Sequence, residues 1–74
     1  MSHIPRQIRE ERTLAGLSQG KLAELCGFSD QSIVSRIESG RHAVTVTTLE
    51  TIAEVLGCTF TIGPRDSNVI AKPR

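Results

Sequence analysis

Residues 17–40, LSQGKLAELCGFSDQSIVSRIESG, decide the fold of this chain, because they carry two helical patterns separated by a turn signal. Ser18 is a favourable N-cap for the first helix, and apolar residues follow it at helical spacing. Gly27 can adopt the left-handed conformation that ends a helix. The second helix is predicted to run from a cap at Ser29 or Asp30 to the end of the stretch.

The second helix is predicted to present a polar face outward. Its apolar positions form one inward stripe, and the side chains that point elsewhere are Gln31, Ser32, Ser35 and Arg36. An amide can bond N6 and N7 of adenine, and a guanidinium can bond O6 and N7 of guanine. These four residues are therefore predicted to contact DNA bases. The alternative is a solvated polar face on an ordinary bundle helix.

Apolar, capping and small residues recur along the chain at a specific spacing: Leu17-Ser18-Gln19, Leu22-Ala23-Glu24, Gly27, Ser29, Val34-Ser35-Arg36-Ile37-Glu38, Gly40, Leu49, Ile52-Ala53 and Leu56-Gly57. They resemble the helix-turn-helix of the phage-repressor/Cro-type family of transcription regulators. The resemblance implies a mainly α, four- to five-helix repressor-like domain that binds double-stranded DNA. One departure is an extra residue at Asp30-Gln31, before the Ser-Arg-Ile-Glu run, which leaves the register of the base contacts open.

Four residues are predicted to contact the DNA phosphates: Ser18, Gln19, Lys21 and Arg41. Gln19 falls in the first turn of its helix, where free N–H groups and the helix dipole favour an anion. The family resemblance implies the same role for this glutamine. Arg41 lies in the loop after the recognition helix, which often crosses the phosphate backbone. For Lys21, a solvated side chain is the alternative.

The resemblance also implies a structural ion pair between Arg12 and Glu38. Arg12 falls on the apolar side of the first predicted helix, which runs from about Pro5 to Ala15. A charged group on such a side needs a partner. The pair would hold the first helix against the end of the recognition helix. A phosphate contact by Arg12 is the alternative.

Residues 43–48, AVTVTT, are β-branched and resemble a strand. We nevertheless expect a loop that enters a helix, with Thr45 as its cap. The reason is the helical spacing that begins at Leu49 and continues through Ile52. Gly57 is expected to end this helix.

Residues 58–62, CTFTI, alternate with the period of a strand, which places Cys58, Phe60 and Ile62 on one face. A lone strand leaves backbone N–H and C=O groups unpaired. We therefore expect it to pair antiparallel with the same strand of a second copy, so that these three residues form a dimer interface. The resemblance to HipB-like antitoxins, a branch of the same family, implies a short dimerising strand here too. The alternative is an irregular segment folded over the helices.

Length and composition set the remaining limits. The chain has 74 residues, which predicts a single domain, placed at 1–63 and followed by a tail at 64–74. Its net charge of +1 gives it only a weak overall basic character. Two Phe and no Trp or Tyr predict an aliphatic core. No apolar run is long enough to indicate a membrane span, and no leader indicates secretion. A cytoplasmic location is therefore expected. The two cysteines lack metal-site spacing, and no catalytic constellation or cofactor motif is present, so neither metal, cofactor nor enzyme activity is expected.

The sequence thus predicts a sequence-specific DNA-binding transcription regulator. A homodimeric repressor that reads a near-palindromic operator through the major groove fits best. The first alternative is an antitoxin that binds a kinase-type toxin protein and represses its own operon. The second is a protein-interaction module on a helical scaffold.

Overall fold

The computed structural model describes residues 3–64, 66, 67, 69 and 70. Within them the chain forms α1 (Ile4–Leu14), α2 (Gln19–Cys26), α3 (Ser32–Glu38), β1 (Val44–Thr45), α4 (Val46–Leu56) and β2 (Val69–Ile70). The prediction of a mainly helical domain is confirmed. In this part of the chain, no helix is long and apolar enough to cross a lipid bilayer.

Caps fix where α2 and α4 begin and end. The hydroxyl oxygens of Ser18 and Thr45 each accept a hydrogen bond from the backbone N–H three residues later, at 3.0 Å and 3.1 Å. Gly27 and Gly57 end the two helices with φ of +77° and +67°, in the left-handed region that other residues adopt at a cost. The four sequence assignments are confirmed, and the turn at Gly27 directs the chain from α2 towards α3.

An aliphatic core joins the four helices, as the composition predicts. Its buried members are Ile4, Ile8, Leu22, Ala23, Val34, Ile37, Val44, Leu49 and Ile52, and the half-buried Phe28 and Phe60 pack against them. Two of these residues, Val34 and Ile37, lie on α3 and are each 1% exposed. The inner side of α3 is therefore fixed against the other helices, while its opposite side remains at the surface.

Residues 58–62 differ from the strand prediction, because they form no strand. The side-chain amide of Gln7 bonds both backbone groups of Thr61: Gln7 Nε2 donates to the carbonyl oxygen at 2.7 Å, and Oε1 accepts from the N–H at 2.9 Å. A side-chain amide can do this because it carries both a donor and an acceptor. The backbone groups of Thr61 are therefore hydrogen-bonded within the chain and need no second strand. The alternative of an irregular segment folded over the helices is the one observed.

The predicted tail, residues 64–74, is partly docked on the domain. Val69 and Ile70 form β2, which pairs in parallel with β1 so that Val44 lies opposite Val69. Val69 also packs against the core. Ala71, the remaining apolar residue predicted to dock on a partner or stay free, lies outside the described residues. Described residues beyond 63 thus pack against the predicted domain.

Asp66 holds this docked segment at the start of α1. Its side chain is only 6% exposed. Its Oδ1 accepts the N–H of Ile4 at 2.8 Å, and its Oδ2 accepts the N–H of Gly63 at 2.8 Å. The N-cap residue His3 makes no side-chain cap bond among the described residues. The carboxylate of Asp66 therefore caps α1 from the other end of the chain, where the helix dipole favours an anion.

Candidate nucleic-acid interface

The first turn of α2 and the start of α3 form one surface. Ser18, Lys21 and Gln31 line the same open concavity, of about 620 Å³, between the two helices. Gln31 is the N-cap of α3, and its side chain is exposed. Predicted phosphate contacts and a predicted base contact therefore lie side by side, as a groove-binding helix requires.

Three of the four predicted base-contacting residues lie at the surface. Gln31, Ser35 and Arg36 are exposed, while Val34 and Ile37 are buried. The polar side of α3 thus presents an amide, a hydroxyl and a guanidinium outward. These groups supply the donors and acceptors that base edges in the major groove can bind.

Ser32 does not fit its predicted role. Its hydroxyl oxygen is buried and has no hydrogen-bond partner among the described residues. Ser32 is the first residue of α3 and is less exposed than Gln31, Ser35 and Arg36. The buried position of this oxygen therefore does not favour the base contact predicted for Ser32.

The N-cap residue of α3 is Gln31, one residue after the predicted Ser29 or Asp30, and its side chain makes no cap bond. The side chain of Asp30 nevertheless bonds the first turn of the helix. Its Oδ1 accepts the backbone N–H of Ser32 at 2.9 Å. This hydrogen bond is the main reason that the pKa of Asp30 is lowered, and the positive charge of Arg36 adds to the shift. The carboxylate is therefore ionised at neutral pH and places a negative charge at the start of α3.

Arg12 and Glu38 form the ion pair that the resemblance implies. Arg12 Nε lies 2.7 Å from Glu38 Oε2 and Nη2 lies 3.1 Å from Oε1, with side chains 15% and 2% exposed. The hydrogen bond to Glu38 raises the pKa of Arg12, so the arginine stays charged. Arg12 Nη1 also donates to the carbonyl oxygen of Leu17 at 2.8 Å. This arginine joins α1, the α1–α2 link and the end of α3.

Gln19 is attached to the same buried carboxylate. Its Nε2 donates to Glu38 Oε1 at 3.0 Å, which fixes the direction of the amide at the start of α2. Sequence reasoning missed this bond because it joins residues 19 apart that share no local pattern. An amide nitrogen carries two hydrogens, so this bond does not use all of its donors.

Lys21 and Arg41 are the charged members of the predicted phosphate set. Lys21 Nζ lies 3.3 Å from Glu24 Oε1, with both side chains more than half exposed. An exposed pair of this kind is worth little, so the ammonium can exchange it for a phosphate. The backbone N–H of Arg41 donates to the carbonyl oxygen of Arg36 at 3.1 Å, and the Arg41 side chain is exposed beyond the end of α3.

The three predicted dimer residues line a groove beside α4. Cys58 and Phe60 are half-buried, and Ile62 is 50% exposed. With α4 they line an open groove of about 330 Å³. Burial raises the pKa of the Cys58 thiol, which is therefore neutral at physiological pH. In the described part of the chain, no group of three or more His, Cys, Asp or Glu side chains could hold a metal ion.

A family model described as helix-turn-helix matches residues 8–62, which include all of α2, α3 and α4. The chain belongs to the helix-turn-helix family, of the Cro/C1 type. It is a DNA-binding transcription regulator. Among solved structures it is similar to the restriction-modification controller protein C.AhdI from Aeromonas hydrophila, with 37% identity, a TM-score of 0.68, and coverage of 84% of this chain and 86% of that one. No curated protein sequence matches it.

Proposed function

We propose that this helix-turn-helix protein is a homodimeric repressor that inserts α3 into the major groove of a near-palindromic operator. The observation that carries the proposal is the outward polar face of α3, made of Gln31, Ser35 and Arg36, beside the first turn of α2. Two such helices related by a two-fold axis would enter successive major grooves about 34 Å apart.

The two sets of contacts have different tasks. Ser18, Gln19, Lys21 and Arg41 set the position of the domain through phosphates, and the α3 face sets the preference for sequence. Phosphate contacts release counterions, so the affinity is expected to fall steeply as the salt concentration rises. The net charge of only +1 favours moderate binding to non-specific DNA.

The likeness to C.AhdI supports the control of restriction-modification genes as the task of this regulator. The antitoxin alternative has less support, because residues 58–62 form no strand and Val69 pairs within the chain. A stable complex with a toxin protein encoded beside this gene would reverse that preference.

Replacing Arg36 by alanine is expected to relax selectivity for the operator over unrelated DNA, because a bidentate base contact discriminates by about 1–3 kcal/mol, or roughly 5- to 150-fold. Gln31→Ala is expected to act in the same way at another base pair. Arg41→Ala is the matched control, since it removes the same charge from an exposed arginine but should weaken binding to all sequences alike. Selection from a random DNA pool, followed by competition titrations at fixed salt, measures both effects.

Unchanged selectivity in both Gln31→Ala and Arg36→Ala would show that α3 is not the recognition helix. A protein that selects no sequence from the pool and shows no salt-dependent binding would instead support the interaction-module alternative.

The groove beside α4 is the proposed dimer interface. Ile62→Asp is expected to give monomers, because it replaces a half-exposed apolar side chain of this groove with a charged one. Phe60 is less suitable for the test, since it packs against the core and its replacement would also lower the stability of the domain. Leu14→Asp is the control, because Leu14 is 80% exposed at the end of α1. Sedimentation velocity distinguishes the monomer from the dimer. A dimer that persists in Ile62→Asp would rule out this interface.

A further inference from the structure

Gly20, in the first turn of α2, lies directly against the side chain of Gln31. A Cβ atom built on Gly20 would be 2.6 Å from Gln31 Oε1, closer than the 3.0 Å below which real Cβ contacts are essentially absent. The backbone does not require glycine here, because Gly20 is not among the glycines with positive φ. Glycine also lowers helix propensity relative to alanine. The absence of a side chain at position 20 therefore leaves room for the amide of Gln31.

We propose that Gly20 is a specificity-determining positioning residue, which contacts no base itself but allows the amide of Gln31 to lie against α2. The proposal deepens the proposed function and rests on it, since Gln31 must be a base contact. A bidentate bond to adenine needs the donor and the acceptor of the amide in one plane with the base edge. The direction of the amide thus decides which base edge it can bind.

The side chain of Gln31, rather than the backbone, must respond to a substitution at position 20. Gln31 is the N-cap of α3, and the next residues of the helix are held by Asp30, Val34 and Ile37. A methyl group on Gly20 would therefore move the amide oxygen of Gln31 by at least 0.4 Å, to restore a 3.0 Å separation. The proposal takes this position of the amide as the one that binds the base, so displacing it would remove part of the discrimination that the contact provides.

The test uses four proteins: the unaltered chain, Gly20→Ala, Gln31→Ala and the double variant. Gly20→Ala is expected to lower discrimination about 5-fold or more at the same base pair that Gln31→Ala affects, as measured by random-pool selection and competition titration. In the Gln31→Ala background, Gly20→Ala should have no further effect on selectivity. This non-additivity separates positioning through Gln31 from a general effect on the helix.

Gly63→Ala is the matched control, because a Cβ there would make only an ordinary contact, 3.7 Å from Asp66 Oδ2, far from the α2–α3 surface along the chain. It should leave selectivity unchanged. Urea unfolding should show Gly20→Ala at least as stable as the unaltered protein, because alanine favours the helix.

The possible results distinguish the inference from the function on which it rests. If the unaltered protein selects no sequence, the proposed function fails and the inference fails with it. If the unaltered protein is selective, three results overturn the inference alone: Gly20→Ala leaves selectivity intact, weakens all sequences alike, or still changes selectivity when Gln31 is absent.

Discussion

Replacing Arg12 by methionine is expected to destabilise the domain by about 3–5 kcal/mol, because it leaves the carboxylate of Glu38 buried without its cationic partner. That carboxylate is 2% exposed and lies 2.7 Å from the guanidinium. A domain of this length has a total stability of roughly 4–11 kcal/mol, so the loss is a large part of the whole. Urea unfolding followed by circular dichroism gives the difference in free energy of unfolding.

Two further variants make the result interpretable. The double variant Arg12→Met/Glu38→Met should regain most of the lost stability, because an apolar pair of similar volume removes the buried charge altogether. Arg6→Met is the matched control, since Arg6 forms an exposed pair with Glu10 at 3.7 Å, and such pairs contribute about 0–1 kcal/mol. If Arg12→Met and Arg6→Met cost the same, Glu38 does not need its partner.

The ion pair also concerns DNA binding, because Gln19 donates to the same carboxylate. Glu38 ends α3, and Gln19 begins α2. One buried group therefore fixes the proposed phosphate contact relative to α3. We expect that the loss of the Arg12–Glu38 pair would change the distance between the proposed phosphate contacts on α2 and the proposed base contacts on α3. The base-contacting side chains themselves would be unaltered.

Local chemistry explains which features the sequence could predict. Ser18 and Thr45 are caps because a hydroxyl before an apolar periodic run satisfies free N–H groups, and Gly57 ends α4 because it tolerates a positive φ. These signals lie within a few residues of the element that they control. The Arg12–Glu38 pair could be predicted only because the family resemblance supplied the long-range partner.

Most of the features that sequence reasoning missed join distant parts of the chain. Asp66 bonds Ile4 across 62 residues, and Gln7 bonds Thr61 across 54. The alternation in residues 58–62 agrees with the burial of Cys58 and Phe60 but not with Ile62, which is 50% exposed. Periodicity also does not say whether the backbone of the segment bonds a strand or a side-chain amide. Gly20 gave a weak signal, since glycine is unfavourable inside a helix, but nothing in the sequence indicated that Gln31 lies against it.

Replacing Asp66 by alanine is expected to destabilise the domain by roughly 1.5–3 kcal/mol, the range for hydrogen bonds to charged groups. The carboxylate accepts the N–H groups of Ile4 and Gly63, both at 2.8 Å, and is 6% exposed. Its loss would leave the start of α1 without its distant cap and would release the connection that leads to β2. Urea unfolding measures the loss, and slower amide exchange at Ile4 in the unaltered protein than in the variant would locate it.

Asp66→Asn separates the contribution of the two oxygens. The amide oxygen of asparagine can still accept the N–H of Ile4, but its NH₂ group would then face the N–H of Gly63 as a second donor. The variant should therefore lie between Asp66→Ala and the unaltered protein. Ser67→Ala, an exposed change in the same segment, should stay within about 0.5 kcal/mol of the unaltered protein. Equal stability of Asp66→Ala and Ser67→Ala would mean that the docked segment does not cap α1, and that β2 holds to β1 without it.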